Sequence, residues 1–237
     1  MSATALLVFA RCAGFASRAP GFSHPSVSHV VRAGVALFLT TAIAPGVHAS
    51  ALHGPSLAFA FVVEFFLGSA IGMGASVLYD GAYAGGRLLD DYVGVKAIAP
   101  SVQLVAPSGF GRMWSLAFTG GYFLFGAYRV TILAFAESFS RIAPGVPIEA
   151  HAWLPFASTL AVTIVMVALA VAAPAVALAF VVHVALAALA RTIPRFAAFA
   201  LSFPLVFGAV LMVSAVSIPL LVARAAHPIS LYPGSTP

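Results

Sequence analysis

The chain has 237 residues, of which 62% are hydrophobic and only 7% are charged, and its formal net charge at pH 7 is +5. Soluble domains carry about 25% charged residues, so this composition excludes a water-soluble fold. The basic residues are scattered between apolar segments, a pattern typical of anchoring at a membrane surface, and we expect no nucleic-acid binding.

Apolar segments follow one another along the chain without the period-two alternation of barrel strands, which favours helices. A helix needs about 20 apolar residues to span a bilayer. We predict helices at 3–17, 27–45, 56–79, 113–138, 152–173, 175–190 and 197–223. The predicted fold is therefore all-α, a polytopic membrane protein of bent helical hairpins. It forms a single helical membrane domain over residues 1–237, with no separate soluble domain.

The third predicted helix contains a carboxylate, Glu64, inside an apolar run. Such carboxylates are costly in a membrane and are often functional. One interpretation is a lumen-facing or proton-responsive group. The other, which we favour, is an interfacial residue near the helix start, or one neutralised by an arginine of another subunit.

Two G-x-x-x-G motifs follow Glu64: Gly68 with Gly72, and Gly81 with Gly85. Glycines at this spacing form a flat ridge that lets two helices approach closely, which favours association where apolar surface alone gives little driving force. The motifs predict tight helix packing.

The segment 80–112 holds three of the six acids and the only lysine. Arg87 can meet Asp90 and Asp91 at helical spacing, which predicts a solvated helix face with a modest ion pair. Protonation linked to transport, or a subunit contact, are the alternatives. Residues 98–111 are rich in glycine and proline and are predicted to form an irregular loop. Irregular backbone at membrane depth must be satisfied by protein or water, so we look here for a lumen, a gate or a partner contact.

No charged residue lies between Ala150 and Ala190, and this run is about twice as long as one membrane span requires. We therefore predict two helices, or one broken near Pro174. Residues 191–195 separate this run from the last predicted helix.

Sequence signatures of catalysis are missing from the chain. It contains no phosphate-binding loop, no H-E-x-x-H, no C-x-x-C and no G-x-S-x-G, and its histidines are dispersed. We predict no enzyme, no cofactor and no metal site.

An ordered set of motifs resembles the FliR/SctT family, the R-type membrane subunit of type III protein export gates. The stretches that carry the resemblance are Ala10–Pro20, Glu64–Gly72, Ala84–Asp90 with Gly94, Pro144-Gly145 after Ser138, and Leu189–Pro194 continuing to Leu201–Pro204 and Gly208. Their order and spacing cover about 200 residues. Arg195 and Ala197 depart from the family pattern, which usually has Gln and Asn there.

The resemblance implies a structural subunit of an export gate in the bacterial inner membrane. Its partners would be the P-type and Q-type export-gate subunits, the large export-gate ring protein, unfolded substrate proteins and membrane lipid. The C-terminal Phe-Pro…Gly pattern slightly favours the flagellar branch of the family over the injectisome branch.

By position, residues 97–112 correspond to the loop that contributes to plugging the closed channel in this family. The candidate gate or plug residues are Pro100, Val102, Gln103, Leu104, Pro107 and Gly109. The candidate helix-packing or subunit-contact residues are Glu64, Gly68, Gly72, Gly85, Arg87, Asp90, Asp91, Arg191 and Pro194.

Two other functions stay open at this point. One is a small-molecule or ion transporter that uses Glu64, Asp90 and Asp91 as coupling groups. The other is a membrane scaffold without a conduit. A transporter requires binding residues near the midplane and often an internal repeat, and neither is visible in the sequence.

Overall fold

A computed structural model describes residues 2–24, 27–47, 55–94, 109–146, 150–192, 198–223 and 230–233, and every regular element in these ranges is helical. The α-helices are α1 (Ala3–Arg18), α2 (His29–Ile43), α3 (Pro55–Val93), α4 (Gly109–Leu124), α5 (Ala127–Arg141), α6 (Ala150–Thr192) and α7 (Ala198–Val222). A 3₁₀ turn, Ala44–Gly46, follows α2.

The prediction of an all-α, polytopic membrane protein is confirmed. Four helical segments have the length and apolar composition to cross a membrane, and the bent pair α4–α5 adds a fifth when it is counted as one span. The four segments are His29–Gly46, Ser56–Val93, Trp153–Thr192 and Ser202–Val222.

The first two helices each begin directly after a serine that caps them. Ser2 and Ser28 precede α1 and α2, and each hydroxyl accepts a hydrogen bond from the backbone N–H three residues later. These first-turn N–H groups have no partner inside the helix, which is why serine is favoured at this position.

Two helices are longer than predicted. α3 continues to Val93, although the predicted helix ended at residue 79, and α6 runs through Pro174 without interruption. Proline removes one N–H and leaves one carbonyl, that of Ala170, without its helical partner. Membrane helices tolerate this loss because neighbouring groups and small backbone adjustments satisfy the carbonyl. The prediction of two helices between 152 and 190 is wrong.

The opposite error occurs between residues 113 and 138, where one predicted helix is two. α4 ends at Leu124 and α5 begins at Ala127. Gly126 between them has a φ of 75°. This left-handed conformation is accessible to glycine at little cost and ends a right-handed helix.

The chain divides into two compact units. Unit 1 comprises Met1–Val77, Tyr122–Leu160 and His227–Pro237. Its core joins α1, α2, the first part of α3 and α5, and at its centre the rings of Phe15 and Phe135 stack with centroids 4.1 Å apart. The prediction of a single membrane domain stays a prediction.

Unit 2 comprises Leu78–Gly121 and Ala161–Ala226. Trp114 is fully buried in its core with Leu89, and Phe110 of α4 packs against Phe207 of α7 with ring centroids 5.4 Å apart. α3 and α6 each contribute their first part to unit 1 and their second part to unit 2.

Large apolar side chains cover the outer faces of the long helices. Phe38 of α2 is 72% exposed in the isolated chain, and Phe66, Phe180 and Met212 are similarly exposed. Continuous apolar surface of this extent is stable against lipid or against other protein subunits.

Candidate functional site

A buried ion pair lies at the centre of unit 1. Arg11 of α1 donates from Nε to Glu64 Oε2 of α3 at 2.6 Å, and the two side chains are 0% and 2% exposed. A buried ion pair is stable only when its remaining donors and acceptors are also satisfied. The pair joins helices whose paired residues are 53 positions apart in the chain.

The remaining polar atoms of this pair are all used at the end of α5. Arg11 donates to the carbonyl oxygens of Ser138 (3.1 Å) and Ile142 (2.9 Å), and Glu64 Oε1 accepts the N–H of Gly145 (3.0 Å). The Ser138 carbonyl also accepts the N–H of Ile142. The carboxyl end of a helix carries the negative end of its dipole, so a guanidinium is favoured there.

Aromatic stacking completes the surroundings of the guanidinium. The Arg11 Cζ lies 4.4 Å from the ring centroid of Phe139. Arginine is suited to this position because its planar fork donates several hydrogen bonds while its face stacks on an aromatic ring. We call Arg11, Glu64 and residues 138–145, which include the end of α5 and the turn after it, the ion-pair junction.

The ion-pair junction corrects the interpretation of Glu64. The arginine that neutralises Glu64 is Arg11 of the same chain and not one of another subunit. The sequence carried a usable signal, since Arg11 and Glu64 are opposite charges embedded in two apolar segments. The pairing was not predicted, because Arg11 and Glu64 are 53 positions apart and no local sequence pattern links the two residues.

Glycines allow α1 and α3 to approach each other around this junction. A Cβ at Gly68 would overlap the carbonyl oxygen of Arg11, and a Cβ at Gly14 of α1 would overlap that of Phe65. Gly72 lies one turn further along α3, where a Cβ would stand 2.8 Å from the carbonyl oxygen of Phe15. These contacts bring the two backbones close enough for the Arg11–Glu64 pair to form.

In unit 2 the second glycine motif packs on α6. A Cβ at Gly81 would stand 2.7 Å from Val167, and one at Gly85 would stand 2.6 Å from the carbonyl oxygen of Ala168. Both substitutions would force the two helices apart.

A second buried carboxylate, Asp90, lies against the start of α4. Its Oδ1 accepts the N–H of Phe110 at 3.0 Å, and its Oδ2 accepts the N–H of Gly111 at 3.2 Å. Because α4 begins at Gly109, these are first-turn N–H groups without helical partners, at the positive end of the helix dipole. Asp90 therefore caps α4 from a different helix.

This geometry overturns the predicted solvated face for Asp90, which is 1% exposed. Arg87 and Asp91 are exposed, as expected for such a face. The Asp90 side chain instead contacts the start of α4, where it accepts two backbone N–H groups. Arg191 is exposed in the last turn of α6, and Pro194 lies outside the described residues.

Most of the predicted plug segment also lies outside the described residues. This holds for Pro100, Val102, Gln103, Leu104 and Pro107. Gly109 through Arg112 are described and form the first turn of α4, so the prediction of an irregular loop up to residue 111 is wrong at its C-terminal end. The two amides held by Asp90 explain why the helix begins there.

Within the described ranges, no three His, Cys, Asp or Glu side chains come together in a metal-binding group. The geometry of the ion-pair junction and of Asp90 is that of polar groups that hold helices together, because each carboxylate oxygen already accepts a hydrogen bond.

The family model described as "Bacterial export proteins, family 1" matches residues 2–231. No curated protein matches the chain.

Proposed function

The chain belongs to the bacterial export proteins, family 1, and from that premise we propose that it is a structural subunit of a type III protein export gate. With P-type and Q-type subunits and the large ring protein, it would form the gated channel for unfolded flagellar or effector proteins in the inner membrane, with a slight preference for the flagellar branch. The observation that carries the proposal is the family match over 230 consecutive residues, 2 to 231.

The physical character of the chain supports this role. The family is a component of protein export apparatus, which is a transport function rather than a chemical one. The long helices present apolar side chains outward, as subunits of a membrane assembly do.

We place the gate in the segment that connects α3 with α4. α3 ends at Val93, and α4 begins at Gly109. Because residues 109–112 are helical, the plug that we propose comprises residues 97–108, and Gly109 belongs to its support.

A transporter that uses Glu64, Asp90 and Asp91 as coupling groups is less well supported. A coupling carboxylate must exchange a proton or an ion during the cycle. Both oxygens of Glu64 and both oxygens of Asp90 accept hydrogen bonds from within the chain, and Glu64 is also neutralised by Arg11. Exchange at Glu64 would leave Arg11 buried without its counter-ion, and exchange at Asp90 would leave two first-turn N–H groups of α4 without an acceptor.

The assembly is tested by purifying the chromosomally tagged chain in mild detergent and measuring the mass of the intact complex. We expect one copy of this chain together with several copies of two other hydrophobic proteins. A lone monomer or homodimer, recovered from cells that export normally, would overturn the export-gate proposal.

The plug is tested by deleting residues 102–108, which leaves the start of α4 in place. We expect intact assembly and entry of o-nitrophenyl galactoside into cells that contain β-galactosidase but lack a permease for this compound. A Gly/Ser replacement of equal length is the matched control, because it separates loss of the side chains from shortening of the chain. Unchanged permeability in the deletion would rule out the plug.

A further inference from the structure

A short irregular segment after α7, residues 230–233, packs into the core of unit 1. Leu231 and Tyr232 are 4% and 1% exposed, and both belong to the apolar cluster that contains Phe15 and Cys12. Irregular segments usually run over the surface, because a buried one must find partners for its backbone polar groups. Burial of two consecutive side chains therefore indicates that unit 1 holds this segment in a specific site.

α3 supplies one side of this site. A Cβ at Gly74, which is buried, would stand 3.0 Å from the carbonyl oxygen of Leu231 and 3.3 Å from its Cα. Glycine therefore lets the backbone of the segment lie directly on the helix. The neighbours are backbone atoms, which cannot swing aside as the end of a flexible side chain can. A larger side chain at residue 74 would displace the segment.

α5 supplies the other side. The Tyr232 hydroxyl is hydrogen-bonded to the side chain of Arg141, which is exposed in the last turn of α5. Burial raises the pKa of the Tyr232 phenol, and the hydrogen bond and charge of Arg141 act in the opposite direction. Tyrosine suits such a position because its ring is apolar and its hydroxyl is polar. The ring therefore fills the core while the hydroxyl reaches the polar edge of the unit.

The order of the chain gives these contacts a consequence. α7 belongs to unit 2, whereas residues 230–233 belong to unit 1, so part of the unit 1 core is synthesised only after unit 2. We propose that residues 230–233 are a clasp: Leu231 and Tyr232 bind between α3 and α5 and close the core of unit 1 once α7 has been made. The clasp follows from contacts within unit 1 and is independent of the proposed export function.

Docking of the clasp is tested by nitration with tetranitromethane in native membranes, read by mass spectrometry. The reagent attacks accessible tyrosines, and burial of a large side chain shifts an equilibrium by roughly 10- to 100-fold. We expect Tyr232 to react slower by about this factor than Tyr92, which is 38% exposed. Equally rapid nitration of the two tyrosines in the wild-type chain would overturn the proposal, and this measurement needs no variant.

The α3 side of the site is tested by Gly74→Val, which leaves the clasp residues unchanged. We expect nitration of Tyr232 to rise by roughly 10-fold or more, because the added methyl groups displace the backbone of Leu231. Gly34→Val in α2 of the same unit is the matched control, since a Cβ there meets nothing within 4 Å. An equal rise in both variants would overturn the site on α3.

Closure of the core is tested by comparing a chain that ends at residue 229 with one that ends at residue 233. The first lacks both buried side chains of the clasp, and the second keeps them. We expect Cys12 of the shorter chain to react with N-ethylmaleimide faster by roughly 10-fold or more, or that chain to be degraded while the longer one accumulates. Equal labelling and accumulation of the two chains would overturn the proposal, as would loss of both.

A double change separates the clasp contact from an effect of Gly74→Val on α3 alone. In the chain that ends at residue 229, Gly74→Val should not increase Cys12 labelling further, because the contact that it blocks is already missing. Changes that act through one contact are not additive, whereas independent changes add. An additive increase would overturn the assignment of Gly74 to the clasp site.

Discussion

The two units each contain one buried carboxylate of α3, and the two are compensated differently. Glu64 in unit 1 is matched by a full opposite charge, and the pair also holds the end of α5. Asp90 in unit 2 is matched by two backbone N–H groups and the positive end of a helix. Removing one partner of a buried ion pair costs about 3–5 kcal/mol, whereas removing a helix cap costs about 1 kcal/mol.

The Arg11–Glu64 pair is therefore an anchor for unit 1, whereas the contact of Asp90 with α4 is a smaller, separate interaction. The ion-pair junction connects α1, α3 and α5 through contacts that are lost together, because each depends on the same two side chains. The contact of Asp90 holds one helix start and can be lost alone. We therefore expect disruption of unit 1 to prevent accumulation of the chain, and loss of the Asp90 contact to leave the first-turn N–H groups of α4 without an acceptor in a chain that still accumulates.

The largest expected effect follows from Arg11→Met. It leaves the Glu64 carboxylate buried without its counter-ion, and we expect a loss of about 3–5 kcal/mol and little accumulated protein in membranes by immunoblot. The double variant Arg11→Met/Glu64→Leu should accumulate far better, because replacing a whole buried pair with apolar side chains is often neutral. Normal accumulation of Arg11→Met alone would contradict the anchor role.

Cys12 gives a reporter inside unit 1, since burial raises the pKa of its thiol from 9.0 to about 11. The thiolate is the reactive form, so at pH 7.5 its population falls about 100-fold, and labelling by N-ethylmaleimide should rise only as the pH approaches 11. We expect Cys12 to remain equally unreactive in Asp90→Ala, which removes a contact of unit 2. A cysteine introduced at the exposed Val30 is the control for reagent access. Faster labelling of Cys12 in Asp90→Ala would show that the two units do not respond separately.

Glycine substitutions compare helix packing in the two units, with a smaller effect. Gly68→Ala and Gly86→Ala each place a methyl group where it overlaps the backbone of another helix, at a cost of about 1–3 kcal/mol. We expect both to lower the thermal midpoint of the purified complex. Gly120→Ala is the matched control, because a Cβ there meets nothing within 4 Å, and it should be neutral or stabilising. Equal effects at Gly68, Gly86 and Gly120 would contradict the packing argument.

Much of the fold follows from the sequence alone. Apolar runs of sufficient length predict membrane helices, and the helices predicted to begin at residues 3, 27 and 56 begin at Ala3, His29 and Pro55. The G-x-x-x-G motifs predict that α3 has surfaces for close packing, and these surfaces lie against α1 and α6. Such properties are local, because they depend on a residue and its neighbours within a few turns.

Tertiary structure alone decided the partners of the two carboxylates. Hydropathy and helix propensity treat Glu64 and Asp90 alike, since both are acids on a glycine-containing helix. Arg11 lies 53 residues from Glu64, and Phe110 lies 20 residues from Asp90, so only the packing of α1, α3, α4 and α5 brings these atoms within hydrogen-bonding distance. The same packing decided that α3 continues past residue 79, because contacts with α4 and α6 offset the low helix propensity of Gly81, Gly85 and Gly86.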